Sequence, residues 1–262
     1  MAKVAGGEMV AEAGGSVESG PVLVVGFGRG DSGKSTVLME MAWRAQNIGR
    51  DVLVADFDAQ SKTIRTFFPD AIVPVSDELP DVKAEFAKLL NRVGKGESAI
   101  VDFGGGDQFM KEFGKDLQVI SFCAKRGVKP VAVFVLSPDE ENLRHCLSVF
   151  ESGHFMPDRM IIILNEGVIR EGKTVRGAFE DTMKDPGFQR MIKAGAKPLL
   201  LTRLPCMGLV KKAAAEDKQA MNFYAAAAGD AGLDMVEQFM VETWLDDYEA
   251  KRKKLGIDGW LP

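Results

Sequence analysis

Val22-Leu23-Val24-Val25-Gly26-Phe27-Gly28-Arg29-Gly30-Asp31-Ser32-Gly33-Lys34-Ser35-Thr36 opens on an unbroken apolar run and closes on Gly, four residues, Gly, Lys and Ser. The second half, Gly28 to Ser35, has the spacing of a phosphate-binding loop. Its context supports it: the apolar run before it reads as a strand, and Val37, Leu38, Met41, Ala42, Ala45 and Ile48 after it repeat at helical spacing up to Gly49. A glycine-rich turn between strand and helix lets successive backbone N–H groups and the helix N-terminus surround phosphate oxygens. The competing reading is a glycine turn with no ligand.

Working outward, further apolar runs recur at Val52 to Ala55, Ala99 to Val101, Val131 to Leu136, Met160 to Leu164 and Leu199 to Leu201. Each is continuous instead of alternating, as in strands covered on both faces. Segments of helical period separate them. The expected fold is therefore α/β, a doubly wound and mainly parallel sheet with helices on both faces, its functional loops at the carboxyl ends of the strands. Residues 21–262 are read as one domain, and Met1 to Gly20, rich in Gly, Ala, Glu and Ser, as a disordered tail. Leu209 to Ala228 is alanine-rich and helical in character. A long amphipathic helix is expected from about Asp234 to Lys254, with Leu233, Val236, Met240, Trp244 and Tyr248 as its apolar stripe, packed on the body or on a second subunit.

Bulk properties exclude several classes. At 262 residues, 46% hydrophobic and 27% charged, the chain has the composition of a globular protein. A formal net charge of −5 argues against a surface that is one large nucleic-acid footprint. Cys123, Cys146 and Cys206 are scattered, without a metal-binding spacing, and read as buried free thiols. With neither a membrane-length apolar run nor a signal sequence, the expected location is the cytoplasm.

Within the loop, Gly30, Asp31, Ser32 and Gly33 are expected to wrap the phosphates. Lys34 is expected to reach the β- and γ-phosphates, Ser35 to offer a hydroxyl to magnesium, and Thr36 to touch the α-phosphate. Acidic residues follow two strands: Asp56 and Asp58 in Asp56-Phe57-Asp58-Ala59-Gln60, and Asp102 in Asp102-Phe103-Gly104-Gly105-Gly106. A carboxylate beside such a loop can hold magnesium directly or through water, which makes Ser35, Asp58 and Asp102 the candidate metal set. Capping and turn formation are the alternatives for Asp56 and Asp58.

These stretches resemble the ParA/MinD family of deviant-Walker ATPases from about Val22 to Ala215, in the order loop, Asp-x-Asp segment and strand-end Asp. The resemblance implies ATP as the nucleotide, with Asn165, after Ile163-Leu164, and Pro205, after Leu204, flanking the base; no guanine signature follows Asn165. Where the family has a lysine that reaches the partner's phosphates in a nucleotide-sandwich dimer, this chain has Arg29, and Ala59 replaces the usual proline. An arginine retains the charge and adds a planar fork, so Arg29 is a candidate to act in trans, or else a solvated loop residue. Asp58 is the candidate for orienting the attacking water. The run Asp102 to Gly106 and the segment Glu166 to Lys197 are further similar to TraL-like proteins of conjugative plasmids.

The resemblance implies a magnesium-dependent ATPase that dimerises when ATP is bound and is stimulated by an activating partner. Its cargo would be nonspecific DNA, such as a plasmid, or a protein assembly such as a conjugation apparatus. Lys251-Arg252-Lys253-Lys254 is a basic run suited to DNA or lipid phosphates, or simply the cationic end of the last helix. The acidic residues of that helix make membrane binding the less favoured outcome. Two other readings stand beside the switch: an ATP-dependent ligase or amidotransferase with a carboxylate pocket around Glu166 to Lys173, and a module that holds nucleotide without hydrolysing it.

Overall fold

The structure, a computed structural model, describes residues 20–58, 63–104, 109, 114, 116–169, 175, 177–216, 222–229 and 232–262. Residues 1–19, read from sequence as a tail, lie outside the described residues, as do Ala59, Gln60, Gly105 and Gly106 of the two acidic segments.

All six apolar runs form strands: β1 (Val22–Phe27), β2 (Val52–Phe57), β3 (Ser98–Phe103), β4 (Lys129–Leu136), β5 (Arg159–Asn165) and β6 (Lys197–Leu201). They make one parallel sheet in the order β2-β3-β1-β4-β5-β6. Alternate residues of one strand enter different cores. Val22 and Val24 pack with Leu38 and Met41 on one face, whereas Leu23, Val25 and Phe27 pack with Phe86 and Leu143 on the other. Covering on both faces is what makes the strand sequences continuously apolar.

Helices α1 (Lys34–Asn47), α2 (Thr63–Phe67), α3 (Leu79–Val93), α4 (Val119–Arg126), α5 (Glu140–Ser152), α6 (Glu180–Lys184) and α7 (Pro186–Lys193) fill the crossovers. The crossover that leaves β1 leads one way, to β2, whereas those that leave its neighbours β3 and β4 lead the other way, so the direction of winding reverses there. The crevice at the carboxyl end of β1 is thus a topological switch point, where ligands of doubly wound sheets bind. The glycine loop occupies it.

The last third is helical, as its composition suggests, but the alanine-rich stretch divides. It forms α8 (Met207–Glu216) and α9 (Phe223–Ala228), and Asn222 begins the second by accepting a hydrogen bond from the N–H of Ala225. The final helix, α10 (Met235–Leu255), starts at Asp234 with a reciprocal capping box between Asp234 and Glu237. It docks beside α1 through an aromatic chain: Phe223 meets Trp43 at 5.3 Å and Trp244 at 5.1 Å. Among the described residues no helix is long and apolar enough to cross a membrane, and all three cysteines are buried and free.

Candidate functional site

Between β1 and α1 the chain makes the turns that the glycines anticipate. Gly33 has φ 81°, a left-handed conformation, and Gly28 has φ 158°. Space is as decisive as angle. A Cβ on Gly28 would lie 2.8 Å from Ser32 Oγ and from the Val135 carbonyl, and one on Gly33 would lie 2.3 Å from Asn165 Nδ2. Asp31 also takes a positive φ, 63°, which a short polar side chain tolerates. Gly33 leads into α1 without any side-chain cap, and the first turn holds no acidic residue. The helix therefore presents its unpaired N–H groups to the loop, a positive pole ready for an anion. Beneath it Ser32 Oγ is buried with no hydrogen-bond partner among the described residues. An uncapped helix end, a cradle that a Cβ would fill and an orphaned hydroxyl suit a phosphate group.

Lys34 is buried, and its ammonium pairs with the Asp102 carboxylate while donating to the Phe103 carbonyl at 3.0 Å. Ser35 Oγ donates to the other Asp102 oxygen at 2.6 Å. A cation, a hydroxyl and a carboxylate from two separate elements thus converge on one point. Burial holds the Lys34 ammonium down to about 8, against the pull of the Asp58 and Asp56 carboxylates. The oxygen donors Ser35 and Asp102 are hard ligands, adjacent to each other and to the phosphate cradle, which fits magnesium completed by water and phosphate oxygens.

Asp56 and Asp58 differ in position. Asp56 is buried, accepts from Arg65 Nε at 3.1 Å and accepts the Asp58 N–H at 3.1 Å. Arg65 also donates to the Asp58 carbonyl at 3.2 Å. Burial raises the Asp56 carboxyl above its ordinary range, and those donors oppose the rise. Asp56 therefore sits one layer behind the loop and holds the backbone of Asp58. Asp58 is half-buried, with its carboxylate packed so closely over Gly104 that a Cβ there would approach Oδ1 to 2.3 Å. Gly104 is the residue that lets the two acidic strand ends meet.

On the other side of the loop, Asn165 Nδ2 donates to the Ser32 carbonyl at 2.9 Å, and its Oδ1 accepts from the Gly167 N–H at 2.9 Å. Asn165 ties the phosphate loop to the end of β5. A cavity of about 50 Å³ opens beside it, walled by Thr36, Glu40, Asn165, Thr202, Trp244 and Tyr248 among others. Pro205 is exposed in the turn before α8 and is not part of that wall. Gly30 and Arg29 are exposed at the loop tip, and the Arg29 guanidinium pairs with Glu141 on α5. Ile169 is the last described residue of the Glu166 to Lys173 loop before a stretch outside the described residues.

The basic run at the end of α10 is not a continuous exposed surface. Arg252 is buried, and its Nη1 donates to both oxygens of Glu40 at 3.0 Å while its guanidinium lies 4.3 Å over the Tyr248 ring. Lys251 pairs with Asp247 and donates to the Leu200 carbonyl, and Lys253 pairs with Glu249. The reason is helical periodicity: Tyr248 and Arg252, four apart, both face α1. Sequence reasoning missed Glu40, Arg65, Glu141 and Trp244 near the loop. Glu40 carried a signal, a charge within the apolar stripe of α1; Arg65 and Glu141 carried none.

No protein-family model and no curated protein matches the chain. Among solved structures it is similar to the MinD cell division protein of Aquifex aeolicus, at 16% identity over 86% of this chain and 96% of that one, with a TM-score of 0.45. The MinC:MinD cell division protein complex of the same organism gives 13% identity, the same coverages and 0.44. Chloroplast FtsY from Physcomitrella patens gives 18% identity and 0.44, over 64% of this chain and 56% of that one.

Proposed function

We propose that the chain is a magnesium-dependent ATPase that acts as a dimerising molecular switch. One observation carries the reading: Lys34, Ser35 and buried Asp102 converge at an uncapped helix N-terminus that a glycine loop precedes. In this account the Lys34 ammonium leaves Asp102 for the β- and γ-phosphate oxygens, and the N–H groups from Gly30 to Gly33 take up the rest of the charge. Ser35 and Asp102, with Asp58 nearby, hold magnesium, which when bound neutralises charge developing on the transferred phosphoryl group. Asp58, its backbone fixed by Asp56 and Arg65, orients the attacking water. Asn165 and the strand-end loops receive the nucleoside; because the cavity of about 50 Å³ has room for little more than one or two waters, its walls move apart when the base enters.

ATP is favoured over GTP because Asn165 is followed by Glu166 and Gly167, not by a guanine-reading Lys-x-Asp. In the switch reading the γ-phosphate stabilises a closed dimer, and Arg29 exchanges Glu141 for the partner's phosphates. Cargo is a plasmid, another nonspecific DNA or a protein assembly such as a conjugation apparatus, released when an activating partner stimulates hydrolysis. The burial of Arg252 shifts the weight from DNA towards protein cargo.

Sedimentation velocity with magnesium and ADP, ATP or a slowly hydrolysed analogue tests the reading. A dimer seen only with triphosphate, and trapped by Asp58→Ala with ATP, is the expected result. A chain that binds ATP but never changes its sedimentation contradicts the switch.

A further inference from the structure

The cavity beside Asn165 joins two parts of the chain that the sequence keeps far apart. Gly33 and Thr36, at the start of α1, form part of its wall, and Trp244 and Tyr248, on α10, form another part. A ligand whose phosphates lie in the glycine loop has its nucleoside end beside Thr36, and Trp244 borders the same small space. Trp244 is fixed there. Its Nε1 donates to the Thr202 carbonyl at 2.8 Å, just past the end of β6, and its ring meets Phe223 at 5.1 Å and Tyr248 at 5.9 Å. The helix that carries it is tied down as well: Lys251 donates to the Leu200 carbonyl at 3.0 Å, and Arg252 pairs with Glu40. A large flat ring held at its N–H edge needs little further ordering to receive a planar ligand.

Of the two residues expected to flank the base, Asn165 lies on this wall and Pro205 does not. Among the described residues the wall holds two aromatic side chains, Trp244 and Tyr248. The Tyr248 ring is already covered by the Arg252 guanidinium, 4.3 Å from its centroid, which leaves Trp244. At about 50 Å³ the cavity is smaller than a base, but part of its wall can give. Met207 and Lys211, on α8, are long unbranched side chains, and among the described residues no side-chain hydrogen bond or ion pair holds either of them. Such side chains adapt to a new neighbour at low cost, whereas Trp244 shifts only by giving up the Thr202 carbonyl.

We propose that Trp244 is the nucleobase platform of this site: the base of ATP packs against its indole, beside Asn165, once Met207 and Lys211 swing aside. The contact comes from the C-terminal helix, outside the span from Val22 to Ala215 that carries the family resemblance. It rests on the ATPase reading and deepens it by giving the base an affinity-determining residue of its own. Every base offers a π-face, so a platform of this kind sets how tightly a nucleotide is held and not which base is chosen. The phosphates alone never touch Trp244, which separates its role from that of Lys34.

Calorimetric titration of the full chain with ATP and with inorganic tripolyphosphate, both with magnesium, tests this in the wild type, Trp244→Leu, Trp244→Phe and Phe223→Leu. Phe223 touches Trp244 but does not border the cavity, so Phe223→Leu reports on the docking of α10 alone. The expected outcome is ATP binding about tenfold weaker in Trp244→Leu, the loss of one base–aromatic stack, with tripolyphosphate binding unchanged. Trp244→Phe, which keeps a ring, loses less, and Phe223→Leu less still. Tryptophan emission supplies a readout that needs no destabilising variant: ATP changes it, tripolyphosphate does not, and Trp244→Phe loses the change. Wild type that binds tripolyphosphate as tightly as ATP overturns the platform and leaves the phosphate loop intact, and so does Trp244→Leu with unchanged ATP affinity. Equal weakening of both ligands in Trp244→Leu, or an equal loss in Phe223→Leu, overturns it too, because the tryptophan then acts through the docking of α10. An emission change that survives in Trp244→Phe has the same meaning. Wild type that binds neither ligand overturns the ATPase reading itself.

Discussion

Helix α1 carries two buried ion pairs at different heights, and they differ in what surrounds them. At its first turn Lys34 faces Asp102 across the mouth of an anion cradle, with Ser35 on the same carboxylate. Two turns on, Glu40 faces Arg252, with the Tyr224 hydroxyl donating to Glu40 at 3.0 Å and the Tyr248 ring beneath the guanidinium. The first pair lies where uncapped N–H groups invite a competing anion; the second is enclosed by α9 and α10. Burial of charge alone does not mark a functional site. What marks one is an alternative partner within reach: phosphate and magnesium can take over both members of the upper pair, whereas Glu40, although it borders the cavity beside Asn165, keeps its partner Arg252 on α10.

The sharpest way to break the contrast is Glu40→Leu. It leaves Arg252 buried without its carboxylate, and loss of one member of such a pair costs about 3–5 kcal/mol. Urea unfolding should show that loss, and the Glu40→Leu/Arg252→Met double variant should recover most of it, while ATP binding is weakened in both by less than in Lys34→Ala. A Glu40→Leu protein of unchanged stability would mean that α10 is not held by this pair.

Lys34→Ala should separate the axes in the opposite sense. Removing a charge-assisted contact to phosphate weakens ATP binding by about a hundredfold or more, read by calorimetry. Asp102 keeps the Ser35 hydroxyl, so the stability loss should be smaller than for Glu40→Leu.

The smallest effect concerns Arg29. Its contact with Glu141 is exposed on both sides, and such pairs contribute about 0–1 kcal/mol. Glu141→Ala should leave the unfolding midpoint nearly unchanged yet favour the triphosphate-dependent dimer, because it frees Arg29. Weaker dimerisation in that variant would assign Arg29 a local role.

The sheet was legible because a strand covered on both faces has to be apolar at every position, and each of the six runs, from Val22 to Leu201, became a strand. The phosphate loop was legible because its backbone geometry demands Gly28 and Gly33 at fixed places. What stayed hidden depends on contacts between distant segments. Arg252 read as part of a basic run because nothing local pairs it with Glu40, which lies 212 residues away. Pro205, two residues before α8, is exposed while the cavity beside Asn165 is walled by Trp244 and Tyr248, a juxtaposition that only the docking of α10 creates. The expected apolar stripe also divided: Leu233, Trp244 and Tyr248 are buried, but Val236 and Met240 are exposed and Val241, outside the stripe, is buried instead. Helical period identifies a face only approximately, and the body of the protein covers one turned slightly away from it.

The most direct test of the central claim is calorimetric titration of the wild-type chain with ATP, with magnesium and with chelator, beside Lys34→Ala. Binding of one nucleotide per chain, tightened by magnesium and lost in Lys34→Ala, is the predicted result. Absence of binding to the wild type, or binding that Lys34→Ala leaves intact, would contradict it.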